Sequence, residues 1–222
     1  MSTGGCMGTV ALLGGAEFDA IGVNESLMRK LLASAGAGEV IVLPTAAAFE
    51  QPGRLVEAAK RWYGLLGVDS TELPVLTRTQ AMSSEYADRL AGARYVHLTT
   101  GSAAHLRSVM KDTPVWEAVR GVAASAVLVA GASAAAAVCD PLTDPRGGGF
   151  TIGLGLISGL AVAHEAETWT EERRVRTRRM VGGFAFAELP SGTALIRRQD
   201  AGAAAQWETI GEGVAIIGEL PR

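Results

Sequence analysis

The chain has 222 residues, of which 48% are hydrophobic, enough to close one full-sized core and too few for two large domains. Its 20 basic and 23 acidic side chains leave a formal net charge of −3, so there is no overall positive field to gather phosphate backbones or anionic lipid, which argues against nucleic acid and membrane surfaces as main partners. The two cysteines, Cys6 and Cys139, make neither a disulfide framework nor a metal motif and read as incidental thiols of a reducing, cytoplasmic compartment.

The opening MSTGGCMG has neither a basic n-region nor an apolar h-region, so no signal peptide is expected and the chain is read as starting near Met1. Residues 9–13 (TVALL) form an apolar run closed by Gly14 and Gly15, and residues 39–43 (EVIVL) a second closed by Pro44, the pattern of buried parallel strands. Asn24 suits the cap of a helix with Leu27, Met28, Leu31 and Leu32 on one face, and Leu55, Ala58, Ala59, Trp62 and Leu66 mark the next helix. Further strands are expected at 71–76, 95–99 and 126–130, with a helix at 84–90 and two short helices before the fifth strand. This alternation predicts an α/β fold, a doubly wound and mainly parallel sheet flanked by helices. The uncharged stretch 121–139 is mostly Ala, Gly and Ser, so it reads as a buried strand running into a small-residue helix rather than a membrane span. Beyond Gly182, apolar stretches at 184–187, 193–196 and 214–217 leave no room for crossover helices and predict antiparallel strands at one edge. No repeat or linker appears, so residues 1–222 are read as a single domain.

Ligands of such sheets bind outside the carboxyl ends of the strands, which directs attention to the loops at 14–17, 44–46, 99–102 and 131–134. Residues 127–136 (VLVAGASAAA) place Ser133 on a sharp strand-to-helix turn among small residues, the arrangement of a nucleophile elbow, with the Ala134 amide facing a developing oxyanion. A helix N-cap serine is the other reading. Activation of a serine needs a base, and there are three histidines. His97 lies inside a strand, His105 on a first helical turn near the crevice, and His164 at the end of the apolar stretch 160–163, which favours His164. Asp140 and Asp144 lie between serine and histidine; Asp144, in a Pro-bracketed loop, is the better placed to orient the imidazole.

These residues resemble the dipeptidase E and cyanophycinase family of serine peptidases, whose fold is similar to class I glutamine amidotransferases and flavodoxin-like proteins. The resemblance runs through a first strand ending in Gly14-Gly15, the strand end at 43–46, Thr100-Gly101, the Gly-x-Ser-Ala elbow, Gly153-Leu154-Gly155-Leu156 ahead of His164, and the closing stretches 192–195 and 211–214. It implies Ser133 as nucleophile, His164 as base, Gly101 and Ala134 as oxyanion-hole amides and Asp144 as third member; Ser102 and His105 are read as substrate contacts from their place beside the crevice, with His105 the alternative base. It also implies a small peptide or peptide-like substrate, no metal or organic cofactor, and a fold compatible with a homodimer.

Three departures fall in the site. Ser102-Ala103-Ala104-His105 stands where members carry a further glycine, Asp or Asn and often Gln; Ala135 replaces the elbow's last glycine; and Glu165 follows the histidine in place of Phe. Residues 172–179 are the only basic run, read as a solvated helix from which Arg174 or Arg176 reaches a substrate carboxylate; Trp169 lies near enough to His164 in sequence to wall a pocket. The expectation is a hydrolase cleaving a short peptide or isopeptide bond through an acyl-enzyme. Its competitors are an inactive member of the fold that binds a ligand or partner, and an amidase or esterase acting on a non-peptide metabolite.

Overall fold

The structure, a computed structural model, describes residues 8–19, 24–144, 146–200 and 202–222; the opening segment and Cys6 lie outside the described residues, while Cys139 is a buried free thiol. The first half alternates as β1 (Gly8–Leu13), α1 (Asn24–Ala35), β2 (Glu39–Leu43), α2 (Pro52–Leu65), β3 (Asp69–Glu72), α3 (Arg78–Ala81), α4 (Ser84–Leu90), β4 (Tyr95–Leu98), α5 (Ala103–Met110), α6 (Pro114–Ser125), β5 (Val127–Ala130) and α7 (Ser133–Val138). Then follow β6 (Cys139–Asp140), β7 (Leu142–Thr143), β8 (Phe150–Thr151), β9 (Ile157–Ser158), β10 (Leu160–His164), α8 (Glu171–Met180), β11 (Ala185–Leu189), β12 (Ala194–Gln199), β13 (Gln206–Ile210) and β14 (Ala215–Ile217).

The main sheet has the order β13-β12-β1-β5-β4-β2-β3, with β1 to β5 mutually parallel and β12 and β13 antiparallel at the β1 edge. Successive side chains on a strand face opposite sides, and both faces of the inner strands β1, β2, β4 and β5 are covered, so these are largely apolar, whereas the outer strands β3 and β13 carry polar, partly exposed residues. Val10, Leu12, Leu43, Leu98 and Leu128 pack with α5 and α6, while Leu13, Val40, Val42 and Val129 pack with α1 and α2. Each such side chain contributes about 1.5–3 kcal/mol on burial. Because β4 and β5 return to fill the gap between β1 and β2, the loops after β1, β2, β4 and β5 meet at one end of the sheet.

The C-terminal strands depart from the expected single edge. A second, five-stranded sheet has the order β14-β11-β10-β6-β9, in which β11 runs parallel to β10 because α8 supplies the crossover; β7 and β8 form a separate ribbon. The third strand also sits earlier than expected, at Asp69–Glu72: Pro74 has no amide hydrogen to continue a ladder, and Val75 N–H instead bonds the Leu73 carbonyl at 2.8 Å. Among the described residues, no helix is long and apolar enough to cross a membrane.

Candidate active site

The fully buried strand β5 leads through Gly131 to Ala132, whose φ of 37° and ψ of −104° put a non-glycine residue in a strained conformation, and Ser133 then opens α7. Ala132, not Ser133, occupies the cap position, and no side-chain cap bond is made there. The serine, 4% exposed, faces the loop after β4 instead: Gly101 N–H donates to Ser133 Oγ at 2.7 Å, and Thr100 Oγ1 lies 3.3 Å away.

Gly101 reaches that position because it has no Cβ. Its φ is 147°, and a methyl group there would sit 2.3 Å from the Ala46 carbonyl oxygen, in the turn after β2. Ser102 N–H bonds the same oxygen at 2.7 Å, fastening the loop. The other expected oxyanion donor is engaged, since Ala134 N–H bonds the Gly131 carbonyl at 2.8 Å within the helix turn. Ala135, in the place of the elbow glycine, is fully buried and accommodated in the core.

His164 ends β10, which packs against α7, and its side chain is 18% exposed. Among the described residues its Nδ1 has no well-formed hydrogen bond; Glu165 Oε2 lies 3.5 Å away, a long contact through which the carboxylate charge is felt. Burial holds the imidazole below the usual histidine pKa and Arg173 acts in the same direction, opposed by Glu165 and Glu167. The hydrogen-bond partners of Ser133 Oγ among the described residues are Gly101 and Thr100, so serine and histidine are not directly bonded.

Neither aspartate meets His164 in a hydrogen bond. Asp140 accepts from Gly153 N–H at 2.9 Å, and Asp144 accepts from Arg146 N–H at 2.9 Å and exerts its charge on Arg173. Of the expected substrate contacts, Ser102 caps α5 by accepting from His105 N–H, and His105 Nε2 donates to the Leu76 carbonyl at 2.9 Å while its ring meets Phe49. Arg174 bonds the Ala166 carbonyl at 2.7 Å and lies beside Glu171 and Glu188; Arg176 bonds the Gly147 carbonyl.

The neighbouring Arg173 is differently placed. Its guanidinium lies 3.5 Å above the Trp169 ring, and its Nε and Nη2 are buried without a partner. Trp169 is extended and lies ahead of the α8 cap, Thr170, so this cation–π contact comes from the chain's entry into the helix and not from helical spacing. Glu17 was also hidden in the sequence: this carboxylate, 4% exposed, accepts from Thr100 N–H at 3.0 and 3.2 Å and lies 3.2 Å from His97 Nε2.

Comparison with known proteins agrees with this geometry. A family model described as peptidase family S51 matches residues 10–201. Two proteins described as cyanophycinase, from Trichormus variabilis and a Nostoc species, are each 31% identical over 131 residues, covering 58% of this chain. The chain matches 43% of the length of these relatives, so less than half of them is represented. Among solved structures, a peptidase from an acI-B1 Actinobacterium superposes with a TM-score of 0.80 at 20% identity, covering 98% of this chain and 93% of that one. A protein described as a candidate Peptidase E from Listeria monocytogenes EGD-e gives 0.64 at 16% identity, over 92% of this chain and 100% of that one, so both likenesses bear on the fold. With a family model spanning the strands, the elbow and His164, the chain belongs to peptidase family S51.

Proposed function

We propose that this protein is a serine peptidase that cleaves a short peptide or isopeptide bond through an acyl-enzyme, with Ser133 as nucleophile and His164 as base. The observation that carries the proposal is the 2.7 Å hydrogen bond from Gly101 N–H to Ser133 Oγ, which puts an oxyanion donor beside the serine on an elbow turn. When substrate enters, this N–H passes from Oγ to the carbonyl oxygen that becomes negative. His164, kept neutral by burial, takes the serine proton as Oγ attacks and returns it to the leaving amine; water then hydrolyses the acyl-enzyme with His164 again as base. Gly101 serves as the principal oxyanion donor, because the Ala134 amide is engaged within its own turn.

Glu165, rather than Asp144, is the carboxylate whose charge supports the imidazolium formed in the reaction, since Asp144 faces Arg173. Arg173, held against Trp169 with two unpaired donors, takes a substrate carboxylate. The cyanophycinase relatives support an isopeptide as one substrate class. A reducing, cytoplasmic setting suits a chain with two cysteines, one of them buried and free.

The test is a library of acidic, neutral and basic dipeptides and isopeptides, with simple esters and amides alongside, read by release of free amine or alcohol from wild type and Ser133→Ala. Serine-dependent cleavage confined to peptides or isopeptides is expected. Cleavage of esters or non-peptide amides alone assigns the machinery to a different substrate class, and no turnover of any member opposes the reading.

A further inference from the structure

Beneath the loop that carries Gly101 lies a chain of buried polar groups that the proposed chemistry does not use. Glu17, from the loop after β1, accepts from Thr100 N–H with both oxygens, and its Oε2 is 3.2 Å from His97 Nε2. His97 is fully buried within β4, and its Nδ1 is 2.7 Å from the Tyr63 hydroxyl, itself fully buried on α2. His97 thus joins Glu17 to Tyr63 through its two ring nitrogens. Each of these polar atoms is thereby paired inside the core.

The same carboxylate also presses on the other half of the site. A Cβ on Gly131 would fall 1.3 Å from Glu17 Oε2, so the carboxylate rests against the backbone of the elbow two residues before Ser133. One buried group therefore touches both the strand end that delivers the nucleophile and the one that delivers its oxyanion donor. An apolar residue would fill this gap without burying polar atoms, but it would leave the Thr100 N–H and the His97 ring nitrogen without their partner.

We infer that Glu17 is a positioning residue: held by His97 and Tyr63, it fixes the Thr100 amide so that the next amide, that of Gly101, points at the reacting centre. This rests on the proposed roles of Ser133 and Gly101. A misdirected oxyanion donor lowers the rate of attack at Ser133 without touching the base, so loss of Glu17 is expected to slow chemistry and leave the pH midpoint set by His164 unmoved.

The experiment compares the second-order rate of Ser133 phosphonylation by a fluorophosphonate in wild type and Glu17→Gln, far below the melting temperature and across pH, since the phosphoryl oxygen occupies the same donor. Glu17→Gln is expected to label about 100-fold more slowly with an unchanged pH midpoint. A folded Glu17→Gln that labels at the wild-type rate overturns the proposal, as does a shifted midpoint with no change in the limiting rate. If Glu17→Gln does not melt cooperatively, Gly131→Ala displaces the carboxylate with its chemistry intact; slow labelling is again expected, and wild-type labelling again overturns the proposal. Absence of labelling in wild type itself overturns the roles of Ser133 and Gly101, a result distinct from either variant outcome.

Discussion

Arg173 stacks its guanidinium 3.5 Å above the Trp169 ring, four residues earlier in the chain, and leaves Nε and Nη2 buried and unpaired. Charged donors without an acceptor are costly in a protein, and the proposed substrate carboxylate would supply one. Arg173→Met is expected to raise KM for a carboxylate-bearing substrate about 10- to 100-fold, with kcat within about 3-fold. An unchanged KM for such a substrate contradicts the assignment.

The pH dependence follows from His164. Burial lowers its pKa, so the neutral, base-competent form persists to more acidic pH than a free histidine allows. Activity is present above the folded-state pKa and is lost as pH falls through it, so the acid limb of the labelling rate has its midpoint below about 6.5. Glu165 stabilises the imidazolium, and Glu165→Gln moves the midpoint further down; Arg173 disfavours it, and Arg173→Met moves the midpoint up. Shifts of the opposite sign would contradict the electrostatic account.

At Gly101 geometry alone makes a prediction. Gly101→Ala places a methyl group 2.3 Å from the Ala46 oxygen at a φ of 147°, so the loop must move and the donor with it. Labelling of Ser133 is expected to fall by about 100-fold or more. The accompanying loss of stability, measured by denaturant unfolding, is about 1–3 kcal/mol.

Stability draws on a second buried carboxylate, in the second sheet. Glu188 on β11 accepts from Arg178 Nε and Nη2 at 2.8 and 2.7 Å, with Arg174 Nε 3.8 Å away. Arg178→Met leaves the buried carboxylate with the weaker partner and is expected to cost about 2–3 kcal/mol, less than a fully enclosed pair because the arginine is partly exposed. A melting temperature unchanged from wild type would show that Arg174 suffices.

The parallel core was legible because strands buried on both faces are unbroken apolar runs, as at residues 9–13 and 127–130, and because the Leu27, Met28, Leu31 and Leu32 stripe marks a helix; Asn24, expected as its cap, is instead the buried first residue of α1 and donates from Nδ2 to the Ala16 carbonyl at 2.6 Å. The second sheet was not: β6 and β9 are two-residue strands with no periodicity to read, and β11 carries the same apolar signature as the edge strands it was grouped with. Ser133 stood out through the sharp strand-to-helix turn among small residues, whereas Gly101 was implied by the family resemblance alone. Arg173 could not be separated from Arg174 and Arg176 by composition, since a helix with six charged residues among its first eight shows no apolar face to set its rotation, and only Trp169 does so. Glu17 was hidden for a different reason. It looks like a loop carboxylate, and its burial comes from His97 and Thr100, more than eighty positions of chain folding away in the latter case.

The most direct test of the central claim is fluorophosphonate labelling of purified wild type beside Ser133→Ala and His164→Ala, with the modified residue located by mass spectrometry. Modification confined to Ser133 in wild type, absent from Ser133→Ala and strongly slowed in His164→Ala, is the predicted result. A wild-type protein that stays unlabelled under conditions that modify a control serine hydrolase, or labelling that persists in Ser133→Ala, would contradict it.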